Sequence, residues 1–169
     1  MNTIEAILSR RSIRRFTQEP LTEEQIETIL KCACAAPSAM NGQPWYFLVI
    51  TDRQKLNEIS EHHPYSSMLK EAPMAILVMG KISQNLSDRY IAQDLSASTQ
   101  NILLAAHDMG LGAVWMGIFP VDERAQELTK VINIPQPYFP FSLIAVGHAA
   151  EAKGLRYNYT PNRVFWEKI

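Results

Sequence analysis

Cysteine is nearly absent from this 169-residue chain: there are two, Cys32 and Cys34. They lie two apart in a segment that reads as helix, so their side chains diverge. That argues against a disulfide or a shared metal and leaves buried structural thiols as the expectation. Neither charge is in real excess, because sixteen Lys and Arg stand against seventeen Asp and Glu, a formal net charge of −1. Nothing at the level of the whole chain therefore draws it to nucleic acid or a membrane surface. No stretch reaches the roughly 18 consecutive apolar residues of a membrane span, and MNTIEAILSR lacks the apolar core of a secretory signal. The expected location is the cytoplasm. Glycine is sparse, with seven residues, and none belongs to a G-x-x-x-x-G-K-[ST] phosphate loop. GLGAVWMG opens a strand after a helix, the reverse of the order in a dinucleotide fingerprint. His62, His63, His107 and His148 have no metal-ligand spacing, and there is no G-x-S-x-G elbow, so metalloenzyme and hydrolase readings fall away.

What is present is 47% hydrophobic residues, enough to bury one core, and a single domain over 1–169 is expected. Residues 3 to 9 read as a short helix, capped by Asn2 or Thr3, with Ile4, Ile7 and Leu8 inward. A second helix starts near Thr22, where TEEQ forms a capping box ahead of Ile26, Ile29, Leu30 and Ala33, and Pro37 stops it. PSAMNGQP is a loop of turn formers, and Trp45 to Thr51 a buried strand. A surface helix is expected from Arg53 to Glu61, then a strand, MAILVMG, ending at Gly80. A long central helix follows from Asp88 to Met109, closed by Gly110. GAVWMGIF is a third strand, VDERAQELTKVI an outer helix, and FSLIAVG a fourth strand ending at Gly147. The tail ends in Val164, Phe165, Trp166 and Ile169, large apolar groups that need a surface, either the chain's own core edge or a second subunit.

One charge feature stands out locally. SRRSIRRF places Arg10, Arg11, Arg14 and Arg15 around Ser12 just past a helix. Guanidinium groups offer paired donors and full charge, and a hydroxyl adds a further bond, which suits a phosphate; a solvated basic loop or a nucleic-acid contact would have the same composition.

Taken together, RRSIRRF, LTEEQIETILKCACAAPSAMNGQPWYFLVI and STQNILLAAHDMGLGAVWMG resemble the flavin-dependent nitroreductase family over essentially the whole chain. The resemblance implies an α+β fold, with a central mixed, mainly antiparallel sheet flanked by helices and a C-terminal arm exchanged across a homodimer. It also implies FMN in the dimer interface. Arg10, Arg11, Ser12, Arg14 and Arg156 would hold the phosphate and ribityl chain, Arg14 also lying near N1 and O2 of the ring. Pro37, Ser38, Ala39, Met40 and Asn41 would reach the flavin of the partner's site, braced by Gln43, Pro44 and Trp45. Met116 and the Gly117 N–H would sit near the N5 and O4 edge, with Tyr65 and Met68 at the pyrimidine end. Arg15 is left as a solvated or salt-bridged neighbour.

The implied activity is an NAD(P)H oxidoreductase that reduces nitroaromatic, quinone-like or related acceptors in a ping-pong cycle, with no side-chain general acid and no metal; a non-catalytic FMN carrier or sensor is the alternative. Asn158 stands where the family often has a second basic residue after the Arg156 equivalent, which predicts weaker phosphate affinity.

Overall fold

In a computed structural model, which describes residues 1–81, 90–156 and 158–169, four strands form one sheet in the order β1-β2-β4-β3. These are β1 (Trp45–Ile50), β2 (Met74–Lys81), β3 (Gly112–Gly117) and β4 (Tyr138–Gly147). All three ladders are antiparallel, and among the described residues the parallel component is a single bridge between Ser12 and Ala113. The helices are α1 (Thr3–Ser9), α2 (Glu23–Cys34), α3 (Arg53–His62), α4 (Ile91–Asp108) and α5 (Asp122–Ile132).

Strand alternation builds the core in two halves, because successive side chains point to opposite faces of a sheet. Ala75, Leu77, Val114, Met116, Leu143 and Ala145 face α3 and α5, meeting Leu56, Ile59, Leu128 and Val131. Ile76, Val78, Ala113, Ile144 and Val146 face the other way, onto Ile29 and Ala33 of α2 and Leu95, Ile102 and Ala106 of α4. The sheet is thus the middle of three layers, an α+β arrangement.

The caps follow their sequence signals. Asn2 accepts from the Glu5 N–H, the Thr22 and Gln25 capping box is complete, and Gly110 takes a positive φ of 74° just past α4, as a helix C-terminus favours. Strand β4 begins three residues earlier than its apolar run. Pro140 lies where the β2 register shifts between Val78 and Met79, a place where a missing N–H is tolerated. The expected start of the long helix at Asp88 lies outside the described residues.

Two expectations are corrected. Cys34 is exposed and Cys32 half-buried, because the inward stripe of α2 is Ile29 and Ala33 and the two thiols flank Ala33 about 100° to either side. On α1 only Ala6 is buried, while Ile4, Ile7 and Leu8 are all more than half exposed. Periodicity marked an apolar face correctly but not what covers it, and none of the described residues does.

Candidate functional site

The arginine run is extended and anchored at both ends. Ser9 donates its hydroxyl to the Glu5 carbonyl and meets His107 Nε2 at 2.7 Å, tying the end of α1 to α4. Further on, Ile13 N–H donates to the Ala113 carbonyl at 3.0 Å, and Thr17 N–H to His148 at 2.9 Å. Close approach here depends on Gly112, where a Cβ would lie 2.7 Å from Ile13 Cγ2. The segment therefore runs along the outer edge of β3, with Phe16 buried and the arginines outward.

A cavity of about 320 Å³ opens beside it, lined by Ile7, Leu8, Arg10, Arg11, Ser12, Arg14, Lys153, Arg156 and Asn158. All five residues expected to hold a phosphate are brought together. Five cations and no carboxylate line the cavity among the described residues. Burial, and next the neighbouring Arg11 charge, pull the Arg10 pKa below its usual value; only the second of these reflects the surrounding positive charge. Burial likewise lowers the His107 pKa, with Arg10 adding to the effect and Asp108 opposing it. Arg15 points away and pairs with Glu71 at 3.0 Å.

Lys153 was missed by sequence reasoning. Its Nζ donates to the Ser12 carbonyl at 2.7 Å and pairs with Glu151 at 3.1 Å. Glu151 in turn accepts the Arg14 N–H at 2.5 Å, and Arg11 donates to the Gly154 carbonyl. The C-terminal segment is thereby stitched to the arginine run. Lys153 restores a cation to the cavity that holds Asn158; the available signal was its position three residues before Arg156.

The far end of β3 is built differently. The Ala113 carbonyl faces outward to Ile13, and backbone polarity alternates along a strand, so the N–H and carbonyl of Gly117 face the same open edge. From Ala113 to Gly117 is about 13 Å at the usual strand rise. A Cβ on Gly117 would meet nothing within 4 Å. Its carbonyl accepts from Arg124 Nη1 at 3.0 Å and lies 3.3 Å from His63 Nε2. Tyr65 N–H donates to His63 Nδ1 at 3.3 Å, which places the ring proton on Nε2 and makes that nitrogen the donor to Gly117. Arg124 also lies over the Tyr65 ring, 5.0 Å from its centroid. Neither His63 nor Arg124 was anticipated, since no spacing in the sequence links them to Gly117.

The remaining expected residues divide. Tyr65 is 64% exposed beside this strand end, whereas Met68 and Met116 are 7% and 3% exposed within the core half that faces α3 and α5. Their side chains are not on the surface with Gly117. The PSAMN loop is a tight turn in which Met40, Asn41 and Gln43 take φ of 53°, 53° and 46°, a costly backbone for non-glycine residues. Three bonds to side chains hold it, beside its own backbone turns: Ala39 N–H to the buried Asp94 carboxylate at 3.1 Å, Gln43 N–H to Ser38 Oγ at 3.0 Å, and Gln43 Nε2 to Asn41 Oδ1 at 3.0 Å. Gln43 braces the loop, and Met40 projects from it, exposed. Among the described residues that line the basic cavity, Pro37 to Asn41 do not appear.

A basic cavity and an open glycine thus lie at opposite ends of one edge strand in a three-layer α+β fold. The nitroreductase family model matches residues 7–63 and 62–148, and the chain belongs to that family. A relative from Methanothermobacter thermautotrophicus, provisionally named NADH dehydrogenase/NAD(P)H nitroreductase, is 43% identical over 99% of this chain and 88% of its own length. A solved structure from Parabacteroides distasonis with the same provisional name superposes with a TM-score of 0.94 at 34% identity, covering all of both chains. A further one, provisionally a nitroreductase in complex with FMN from Desulfovibrio desulfuricans, has a TM-score of 0.82 at 31% identity over 100% of this chain and 99% of that one. Among the described residues, no helix is long and apolar enough to cross a membrane.

Proposed function

We propose that this chain is an FMN-dependent NAD(P)H oxidoreductase acting on nitroaromatic, quinone-like or related acceptors. The observation that carries the reading is the acid-free cavity of Arg10, Arg11, Arg14, Lys153 and Arg156 around Ser12. An FMN phosphate bears close to two negative charges, and several paired donors offset its desolvation where one lysine would not. FMN, when bound, would supply the hydride chemistry between NADH or NADPH and the acceptor, in a proposed ping-pong cycle.

The protein's own residues do the rest. The arginines and Ser12 fix the phosphate and ribityl chain, and Arg14 adds positive charge toward N1 and O2 of the ring. The Gly117 N–H, directed off the strand edge, offers a donor to the N5 and O4 edge, and Tyr65 borders the same end of the strand. The strained Pro37–Asn41 loop serves the site of a second copy, and solvent supplies protons.

Residues 1–169 act as one unit that pairs as a homodimer, exchanging its C-terminal arm. Val164, Phe165, Trp166 and Ile169 on that arm, and Ile4, Ile7 and Leu8 on α1, are all exposed, an unusual concentration of large apolar side chains. The reaction is proposed for the cytoplasm, a compartment that supplies NAD(P)H.

The test is an absorption spectrum followed by anaerobic reduction. The purified protein, incubated with FMN and dialysed, retains a yellow chromophore, and NADH or NADPH bleaches it within seconds. A colourless product overturns the flavin reading; a yellow one that neither nucleotide bleaches is a carrier.

A further inference from the structure

Two donors converge on one carbonyl at the open end of β3. The Gly117 oxygen accepts Arg124 Nη1–H at 3.0 Å and His63 Nε2–H at 3.3 Å. This oxygen lies on the same edge as the Gly117 N–H, and a free carbonyl there would set a second acceptor against any ligand edge that itself carries acceptors. The oxidised N5 and O4 edge of a flavin is such an edge. Capping the carbonyl leaves the strand end presenting an N–H donor alone.

The two donors are themselves held. His63 is buried, and its tautomer is fixed from the other side by the Tyr65 N–H. Burial, with the Arg124 charge as a further contribution, keeps its pKa below the usual histidine value, against the opposing effect of its bond to Gly117, so it works as a neutral donor. Arg124 is half-buried, lies over the Tyr65 ring, and forms no ion pair among the described residues. Its charge is therefore not cancelled by a bound carboxylate, and it sits one hydrogen bond from the strand end.

We infer that His63 and Arg124 are positioning residues for the flavin, capping the Gly117 carbonyl so that its N–H alone faces the ring, and that the Arg124 charge raises the flavin reduction potential. The inference rests on the reading of Gly117 as facing the flavin. A fixed cation near the ring favours the electron-rich reduced form over the oxidised one. Removing it makes the potential more negative.

The experiment is a spectroscopic redox titration of the FMN-loaded protein against a reference dye, for wild type, R124M and R124K, with FMN affinity measured on the same samples. R124M lowers the ratio of reduced-state to oxidised-state binding about tenfold, close to 30 mV for a two-electron couple. R124K, which keeps the charge, loses less than half of that. H63Q, which retains an N–H donor, keeps FMN affinity within about threefold of wild type, while H63L loses more. An R124M protein that retains FMN at the wild-type potential overturns the inference and leaves the oxidoreductase reading intact. A shift as large in R124K as in R124M also overturns it. A wild-type protein that holds no flavin overturns both.

Discussion

Lys153 Nζ donates to the Ser12 carbonyl at 2.7 Å, joining residues 141 positions apart at the mouth of the basic cavity. The bond places a cation beside the Ser12 backbone without using the Ser12 hydroxyl, which stays available to a ligand. Lys153→Met removes the charge while keeping the stem. FMN affinity falls about tenfold, within the range of one charge-assisted hydrogen bond after discount for partial exposure. Fluorescence titration with FMN and with riboflavin checks this, since riboflavin lacks the phosphate and its affinity changes less than threefold. Equal losses on both ligands would place the phosphate elsewhere.

Glu151 is the acidic counterpart of that stitch. The Arg14 N–H is the largest influence holding its carboxyl below the ordinary glutamate value of 4.5, with Lys153 contributing and desolvation opposing. A lowered folded-state pKa means that the contact contributes above the ordinary value and is lost as pH falls through the lower, folded one. FMN retention therefore stays flat down to about pH 4.5 as far as this residue is concerned, and declines in more acid buffer. In Glu151→Gln the acid decline attributable to this group disappears, and retention at neutral pH is already reduced. Gel filtration of loaded protein across buffers, following flavin absorbance, reads both effects.

Gly112 and Gly117 bound the same strand and respond oppositely to a methyl group. At Gly112 a Cβ would lie 2.7 Å and 2.9 Å from Ile13 Cγ2 and Cβ, so Gly112→Ala pushes the arginine run off β3. Overpacking of this kind costs about 1–3 kcal/mol, a fall in Tm of roughly 5 °C for a chain of this length, with weaker FMN binding. At Gly117 the same methyl meets no protein atom within 4 Å. Gly117→Ala leaves the Tm of the flavin-free protein within about 2 °C of wild type, a surface-scale effect, and lowers FMN affinity. Thermal melts of flavin-free protein paired with FMN titrations separate the two; a large Tm loss in Gly117→Ala would mean that the open edge is packed.

Much of this arrangement was legible from residue order. The short apolar runs of MAILVMG and FSLIAVG, each ending at a glycine, the capping box at Thr22 and the turn at Gly110 each carry local physics, and the structure follows them. Arg10, Arg11, Ser12 and Arg14 were legible as a group because they are neighbours in the chain. Lys153, His63 and Arg124 were not, because their roles come from contacts across 141, 54 and 7 positions that no periodicity encodes. The exposed faces of α1 and the misjudged thiols share another cause. An amphipathic pattern states which side is apolar, and the partner that covers it is a property of tertiary or quaternary packing.

The tail offers the sharpest quaternary test. Trp166 is 79% exposed and Phe165 is 59% exposed, and their neighbours Val164 and Ile169 are also open, so the tail gains little from its own chain. Burying a Phe and a Trp side chain is worth about 2–3 kcal/mol each, and charged replacements in an interface core would add a desolvation cost. Phe165→Asp with Trp166→Asp therefore converts a dimer to a monomer at micromolar concentration, with the far-ultraviolet circular dichroism of the folded chain retained. Sedimentation velocity at several concentrations gives the mass directly. Because Pro37–Asn41 are proposed to act on a partner's cofactor, the same variant also loses FMN, although neither substituted residue lines the basic cavity. A wild-type protein that sediments as a monomer and still retains FMN would separate cofactor binding from dimerisation and remove the exchanged arm from the reading.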